Sequence, residues 1–157
     1  MSTPTVTLVS ESDRETEAIG QRLAGQLRPG MVVALEGDLG AGKTVLSRGI
    51  ARGLGIEEPV TSPTFTVVQE YTCPGGLLLY HLDMYRIDDE TAALAFGIEE
   101  FLYAPDGVTV VEWPERIAGL LGEDAATARV RLEHLAEGKR RLVLPRWLLP
   151  DAEETAP

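Results

Sequence analysis

The sequence predicts an α/β fold in which helices cover a mixed, mainly parallel central sheet. A short, almost continuous apolar run at residues 31–35 has the composition of a strand buried on both faces. A glycine-rich segment, residues 37–44, follows it directly, and apolar residues then recur at helical spacing up to Gly55. This order of strand, loop and helix, followed by further β-prone runs, indicates a three-layer α/β/α domain.

The first predicted element is a helix at residues 13–27. Ser12, with Glu15 three residues later, forms a capping-box signature. From Ile19 to Leu27 an apolar residue recurs at every fourth position, which places these side chains on one helical face. An Arg-Pro-Gly segment then stops the helix and leads into the buried strand.

The second half of the chain continues with strands and short helices. Two β-prone runs around a turn-rich segment predict an antiparallel hairpin, and a similar pair of runs near the end predicts another. Between them we expect a helix with a good amino-terminal cap, a β-branched strand that ends at Glu112, and a helix opened by Pro114. The predicted ranges are 65–71 and 77–82 for the first hairpin, 88–96 for the helix, 108–111 for the strand, and 129–135 and 140–144 for the second hairpin.

Length and composition predict one domain at residues 1–146, followed by a flexible tail at 147–157. The net charge of −11 disfavours independent binding to a nucleic-acid backbone, although a local basic patch or a basic partner could still bring the chain near RNA. The single Cys73 allows no intramolecular disulfide. With no signal-like segment and no apolar stretch near the length of a membrane span, we expect a soluble, cytoplasmic protein.

Residues 37–44 match the phosphate-binding pattern G-x-x-x-x-G-K-[ST] at every position. Glycines allow successive backbone N–H groups to turn inward around a phosphate, and the amino end of the following helix adds partial positive charge. Lys43 would supply an ammonium to the β- and γ-phosphates, and the Thr44 hydroxyl would bind Mg²⁺. The remaining predicted phosphate contacts are Asp38, Leu39, Gly40, Ala41 and Gly42.

Two carboxylates at the ends of apolar strands could complete a magnesium and hydrolysis site. They are Asp83 and Glu112, and parallel strands would bring both to one edge of the sheet. An acid at a strand end is also commonly just a solvated boundary residue. The hydroxyls of Thr61, Ser62 and Thr64 lie on a proline-shaped bend that could contact the γ-phosphate or could be a hydrogen-bonded turn.

Three other residue types are ambiguous in the sequence. His81 and His134 are isolated, and a structural role is the simpler interpretation for each. Trp113 follows Glu112 and could pack over the site or fill the core. The arginines at residues 129, 131, 140 and 141 fall in predicted strands, where outward-facing side chains are expected.

Four segments together resemble the TsaE (YjeE) family: residues 37–44, Thr61-Ser62-Pro63-Thr64-Phe65, His81-Leu82-Asp83-Met84-Tyr85-Arg86 and Val111-Glu112-Trp113-Pro114-Glu115. The resemblance extends from about Glu15 to Leu144. It implies a P-loop NTPase fold and a bacterial ATPase that acts with the TsaD and TsaB proteins. That system makes threonylcarbamoyladenosine beside the anticodon of tRNA, with TsaD transferring the threonylcarbamoyl group.

The resemblance also implies roles for individual residues. Lys43 and Thr44 would bind phosphate and Mg²⁺, Glu112 would be a second Mg²⁺ ligand, and Asp83 would support hydrolysis. The bend at residues 61–65 would sense the nucleotide. Contact with tRNA would be indirect, through the complex.

Two other functions remain open from the sequence. A small-molecule kinase shares the phosphate-binding loop but also needs an acceptor pocket and commonly an arginine-bearing lid, for which the sequence gives no clear signal. A regulatory module could sense ATP without useful turnover. A Ras-type GTPase is excluded, because its Asn-Lys-x-Asp guanine reader requires asparagine and the chain contains none.

Overall fold

A computed structural model describes residues 3–61 and 67–153 of the chain. Seven strands form one sheet in the order β1-β7-β6-β2-β5-β4-β3. The four central strands, β6, β2, β5 and β4, run parallel, while β1, β7 and β3 pair antiparallel with their neighbours. The predicted mixed sheet is therefore confirmed. The strands are β1 Thr5–Ser10, β2 Val32–Glu36, β3 Val68–Thr72, β4 Leu78–Asp83, β5 Gly107–Glu112, β6 Thr127–Ala136 and β7 Lys139–Pro145.

Helices cover both faces of this sheet. Helices α1 (Asp13–Ala24) and α2 (Lys43–Gly53) pack on the face that receives Val33 and Leu35 of β2. The opposite face receives the alternate β2 residues and is covered by the short helix α3 (Glu90–Ala95) and by 3₁₀ turns at Ile98–Glu100 and Pro114–Leu120. Because side chains alternate along a strand, one apolar run supplies both layers of the core.

Helices α1 and α2 lie backbone to backbone at two glycines. A Cβ atom at Gly49 would lie 2.2 Å from the carbonyl oxygen of Glu17, and one at Gly20 would lie 2.7 Å from that of Leu46. The predicted cap of α1 is present: the Ser12 Oγ accepts from the Glu15 N–H at 3.1 Å, and the Glu15 carboxylate accepts from the Glu11 N–H at 2.6 Å. The cap fixes where α1 starts, and the glycines fix how closely it approaches α2.

The structure differs from the sequence predictions at both ends of the domain. Strand β1 was not predicted, because it is a short edge strand whose pairing partner, β7, lies at the other end of the chain. The tail expected from residue 147 is packed through residue 152. Leu148 is fully buried, Leu149 is 4% exposed, and the Arg146 guanidinium donates to the Ala152 carbonyl at 2.5 Å.

Two helix predictions are also corrected. Helix α1 ends at Ala24, after which residues 25–27 continue as turns with i→i−3 hydrogen bonds, the last from the Leu27 N–H to the Ala24 carbonyl oxygen at 3.1 Å. The segment that Pro114 opens is a 3₁₀ helix, kinked at Ile117, and not an α-helix. Within the described residues, no helix is long and apolar enough to cross a lipid bilayer.

Candidate functional site

The carboxyl ends of β2, β5 and β4 meet at one edge of the sheet, as parallel strands do. Glu112 of β5 is in register with Leu35 of β2 on one side and with Asp83 of β4 on the other. A cavity of about 980 Å³ opens at this edge. Its lining brings together seven of the sequence-predicted site residues: Leu39, Gly40, Gly42, Lys43, Thr44, Asp83 and Glu112.

The glycine-rich loop takes its shape from positions that exclude a side chain. Gly42 precedes α2 in the left-handed conformation, at φ 99°, which an L-residue adopts only with strain. Gly37 has φ 155°, and a Cβ atom there would lie 2.5 Å from the Leu132 carbonyl oxygen of β6. The loop is therefore held between two strands and the amino end of an eleven-residue helix, the arrangement that binds anions.

Lys43 is 5% exposed although it carries the ammonium expected to bind phosphate. Its Nζ donates to the Gly37 carbonyl oxygen and lies 3.4 Å from the centre of the Trp113 ring, a cation–π contact. Burial lowers the pKa of Lys43, and the surrounding carboxylates of Glu112, Glu115, Asp83 and Asp38 oppose that shift. The ammonium is thus partly desolvated, a state in which a bound polyphosphate would stabilise its charge.

Trp113 takes the left-handed conformation directly after β5, with φ 61°. A bulky residue in this region is strained, and such strain concentrates at functional sites. The ring lies over Lys43, packs on Tyr85 with ring centroids 4.9 Å apart, and is partly buried against the core of this face of the sheet. The structure thus shows both contacts that the sequence left open for Trp113, packing over the site and packing against the core.

Glu112 forms the centre of a buried polar chain. Its Oε2 lies 2.6 Å from His81 Nε2, and its Oε1 accepts from the Thr44 hydroxyl at 3.2 Å. Glu112 is 3% exposed and His81 is 1% exposed. The carboxylate is therefore oriented from both sides, by an imidazole of β4 and by the first turn of α2.

Asp83 lies beside this chain, half-buried at the end of β4. Its Oδ1 accepts from the Tyr85 backbone N–H at 3.0 Å, which fixes the turn that follows the strand. Its charge acts on Lys43 across the cavity. Thr44, Glu112 and Asp83 together offer only oxygen atoms, the donors that Mg²⁺ prefers.

The donor set fits a magnesium ion that also binds phosphate and water. Among residues 3–61 and 67–153, no three or more His, Cys, Asp and Glu side chains are grouped to hold a metal by themselves. Mg²⁺ commonly takes one or two protein oxygens and completes its shell with waters and nucleotide phosphates. Thr44 and Glu112, in mutual contact, would supply the protein oxygens.

The other predicted phosphate contacts have different positions. Ala41 is buried in the loop, and Asp38 is exposed beside a neighbouring cleft. Thr61 is exposed and does not contribute to the lining described above, so its role remains a prediction. Ser62 and Thr64 lie outside the described residues.

Two site residues were missed in the sequence. His81 was assigned a structural role, yet it contacts Glu112; its position two residues before Asp83 on an alternating strand could have indicated a shared face. Arg140 was expected to face outward, but it is 7% exposed and lines the cavity. No local pattern indicates this, because it depends on where β7 lies relative to α1.

Known proteins resemble the chain in both sequence and structure. Residues 10–142 match the family model described as the threonylcarbamoyl adenosine biosynthesis protein TsaE. The tRNA threonylcarbamoyladenosine biosynthesis protein TsaE of Bacillus subtilis is 47% identical over 110 residues, which are 70% of this chain and 67% of that protein. The protein of the same description from Treponema pallidum is 42% identical over 136 residues, covering 87% of this chain and 97% of its own.

A solved structure supports the same assignment. The crystal structure of Bacillus subtilis YdiB superimposes with a TM-score of 0.75 at 32% sequence identity. The alignment covers 92% of this chain and 86% of YdiB. The similarity therefore extends over most of both chains.

Proposed function

This chain belongs to the TsaE family, and on that premise we propose that it is a magnesium-dependent ATPase. Its role is in the biosynthesis of threonylcarbamoyladenosine in tRNA, as the family description states. The observation that carries the ATPase proposal is the contact between Thr44 and Glu112 beside a complete phosphate-binding loop. A hydroxyl and a carboxylate at that place are the two protein oxygens that a nucleotide-bound Mg²⁺ requires.

Each part of the site has a distinct role in this proposal. The backbone N–H groups of residues 38–44 hold the β-phosphate, and Lys43 neutralises the β- and γ-phosphate oxygens. Thr44 and Glu112 would hold a Mg²⁺ ion, which would supply Lewis-acid stabilisation of the charge on the terminal phosphate. His81 holds the Glu112 carboxylate in the position from which it would bind that ion.

Hydrolysis also requires a water aligned with the γ-phosphate. Asp83 is the proposed group, because it is half-buried, lies on the lining of the cavity and is next to Glu112 in the sheet. Its carboxylate accepts a hydrogen bond from the backbone and so is held in position. It would orient the attacking water and take up its proton.

Partners and location are part of the same proposal. We expect the TsaD and TsaB proteins to stimulate turnover, with tRNA contacted through the complex. The net charge of −11 supports indirect contact, because the free chain repels a phosphate backbone at long range. We place the protein in the cytoplasm, where such a complex would meet tRNA.

The test is ATP turnover by the purified chain, alone and with TsaD and TsaB. We expect slow hydrolysis alone and faster hydrolysis with the pair. Lys43→Ala should weaken binding of ATP, whereas Glu112→Ala should act chiefly through the Mg²⁺ requirement. Lys139→Ala is the matched control, because Lys139 is the only other lysine and forms just a surface ion pair with Glu11 at 3.7 Å.

Three results would contradict the proposal. Unchanged turnover in both site variants would remove the site assignment. Binding of ATP without turnover, even with the pair, would indicate a nucleotide-sensing module. Transfer of the γ-phosphate to a small acceptor in place of water would indicate a kinase.

A further inference from the structure

The end of helix α3 presents large apolar side chains to solvent. Among the residues that the structure describes, the exposed large hydrophobic side chains are Leu39, Tyr85, Leu94 and Phe96. Phe96 is 61% exposed, and it lines the same cavity as Leu39 and Tyr85. Leu94 lies two residues earlier, in the last turn of α3. Single exposed apolar residues are common on protein surfaces, but several around one cavity are typical of a binding surface.

Buried neighbours hold Phe96 in this exposed position. Ala93 and Ile98 are fully buried on either side of it. The Phe96 N–H donates to the Ala93 carbonyl oxygen at 3.0 Å, and Gly97 follows in the left-handed conformation, at φ 73°. The turn is therefore an ordered part of the fold and not a frayed helix end. A partner would meet a preorganised aromatic side chain, which lowers the entropic cost of binding.

The same segment carries negative charge without any cation. Residues 88–100, the α3 face, contain five carboxylates and no lysine or arginine: Asp88, Asp89, Glu90, Glu99 and Glu100. None of these five forms an ion pair within residues 3–61 and 67–153. Those at positions 88, 99 and 100 are exposed to solvent. The α3 face therefore combines an exposed aromatic side chain with negative charge that the chain itself does not balance.

The charge of the α3 face determines which class of partner fits it. A nucleic-acid backbone and an anionic lipid surface are both negative, so the face repels them. A second copy of the chain is disfavoured for the same reason, because contact between two α3 faces would bring like charges together. A protein segment with basic side chains around an apolar one would match both the charge and the exposed aromatic ring.

We propose that the α3 face is the docking surface for a basic segment of the partner that stimulates ATP turnover, with an apolar side chain of that segment packed on Phe96. This inference rests on the proposed function, since it assigns the surface through which the stimulation acts. Asp83 lines the same cavity as Phe96, so a segment seated on Phe96 would lie beside the group proposed to orient water. Exclusion of bulk water there would strengthen the electrostatic interactions with the terminal phosphate.

The first experiment measures binding of the TsaD–TsaB pair to the chain by biolayer interferometry, with and without Mg-ATP. Phe96→Ser should weaken that binding at least about tenfold, because exposed aromatic side chains commonly carry much of the binding energy of an interface. The ATP affinity and the turnover of the isolated variant should stay within about twofold of the wild type, because the change is at the surface and leaves the phosphate-binding loop intact. Unchanged binding of the pair by Phe96→Ser would overturn the inference.

A second experiment tests the charge. Glu99→Lys combined with Glu100→Lys should weaken binding of the pair at least about tenfold at low salt, and by less at about 0.5 M salt, where surface charges are screened. Glu57→Lys with Glu58→Lys is the matched control, because these are also adjacent exposed acids and lie beyond the far end of α2, which extends about 16 Å from the loop. The control should bind the pair within about threefold of the wild type. Equal loss in both double variants would mean that only overall charge matters, and would overturn the assignment of the α3 face.

Photo-cross-linking identifies the occupant of the surface. The photoreactive amino acid p-benzoylphenylalanine in place of Leu94 should cross-link to a segment of TsaD or TsaB in which lysine or arginine flanks an apolar residue, as read by mass spectrometry. A cross-link to a second copy of this chain, to an acidic segment, or to neither protein of the pair would contradict the proposal. Circular dichroism and urea unfolding of each variant check that it is folded.

Failure of this inference is distinguishable from failure of the proposed function. If the wild-type chain binds no Mg-ATP, the nucleotide site itself is wrong, and the interferometry still decides whether the α3 face binds the pair. If the wild type hydrolyses ATP but does not bind the pair, the docking surface is wrong while the ATPase assignment stands.

Discussion

Replacing His81 with leucine tests the buried polar chain that orients Glu112. Leucine has a similar volume but offers no N–H group to the Glu112 carboxylate, which lies 2.6 Å from His81 Nε2 in the structure. Of its hydrogen bonds to residues that the structure describes, Glu112 would keep only the longer one from the Thr44 hydroxyl. A carboxylate that is 3% exposed would then be left without its nearest partner.

The magnitude follows from the burial of both groups. A hydrogen bond to a charged group contributes about 1.5–3 kcal/mol, and removing one partner of a buried pair adds the penalty of the group left behind. We therefore expect His81→Leu to lower the free energy of unfolding by about 2–4 kcal/mol. The disoriented carboxylate should also raise the Mg²⁺ concentration needed for half-maximal turnover by roughly tenfold, as loss of a residue that orients a metal ligand commonly does.

The assay combines urea unfolding with a Mg²⁺ titration of ATP turnover. His81→Gln is the rescue variant, because the Nε2 of glutamine can occupy nearly the same place as the Nε2 of histidine and donate to the carboxylate. A double-mutant cycle with Glu112→Gln then isolates the interaction between the two residues. We expect a coupling of at least about 1.5 kcal/mol and a Mg²⁺ requirement in His81→Gln close to that of the wild type.

Two outcomes would refute this reasoning. A coupling below about 0.5 kcal/mol would mean that the imidazole and the carboxylate do not interact in solution. A Mg²⁺ requirement that is unchanged in His81→Leu, despite lower stability, would limit His81 to a packing role.

The remaining predictions concern the fold. Gly49→Ala should lower the free energy of unfolding by about 1–3 kcal/mol in urea, because the added Cβ would lie 2.2 Å from the Glu17 carbonyl oxygen. Gly25→Ala is the control, because Gly25 has φ −63° and a Cβ there would meet its nearest atom at 3.4 Å; an equal loss in both variants would contradict the clash. Burial, with the hydrogen bond to Asp106, raises the pKa of Tyr80 to about 12. The folded state then holds a proton that the unfolded state loses above pH 10, so stability should fall by about 1 kcal/mol by pH 11. Tyr80→Phe should lack this loss of stability at high pH. An identical fall of the unfolding free energy between pH 10 and pH 11 in both proteins would contradict the prediction.

Local patterns in the sequence were sufficient to predict most of the fold. The cap of α1, the buried run of β2 and the two hairpins each depend on residues that are close together in the chain. The phosphate-binding loop is also local, since eight consecutive residues specify its backbone. The same holds for the acids that end β4 and β5, because an apolar strand followed by a carboxylate can be recognised directly.

Local patterns were insufficient where a residue depends on a partner far along the chain. Strand β1 needs β7, and Leu148 and Leu149 are buried by a core assembled from distant elements, so neither was predicted. The segment after Pro114 has an apolar periodicity, but packing kinks it at Ile117. In each case tertiary contacts override a weak local preference.

The residues of the candidate site also fall into two groups, those that local sequence predicted and those that only tertiary contacts bring together. The sequence by itself determined the loop with Lys43, because the pattern requires fixed residue types at fixed spacing, and the two carboxylates that end apolar strands. Only the tertiary structure decided that His81 holds Glu112, that Trp113 covers Lys43 and that Arg140 fills the space beside Gly42. These contacts join residues 31, 70 and about 100 positions apart, distances over which strand order and register, and not sequence pattern, determine which side chains meet.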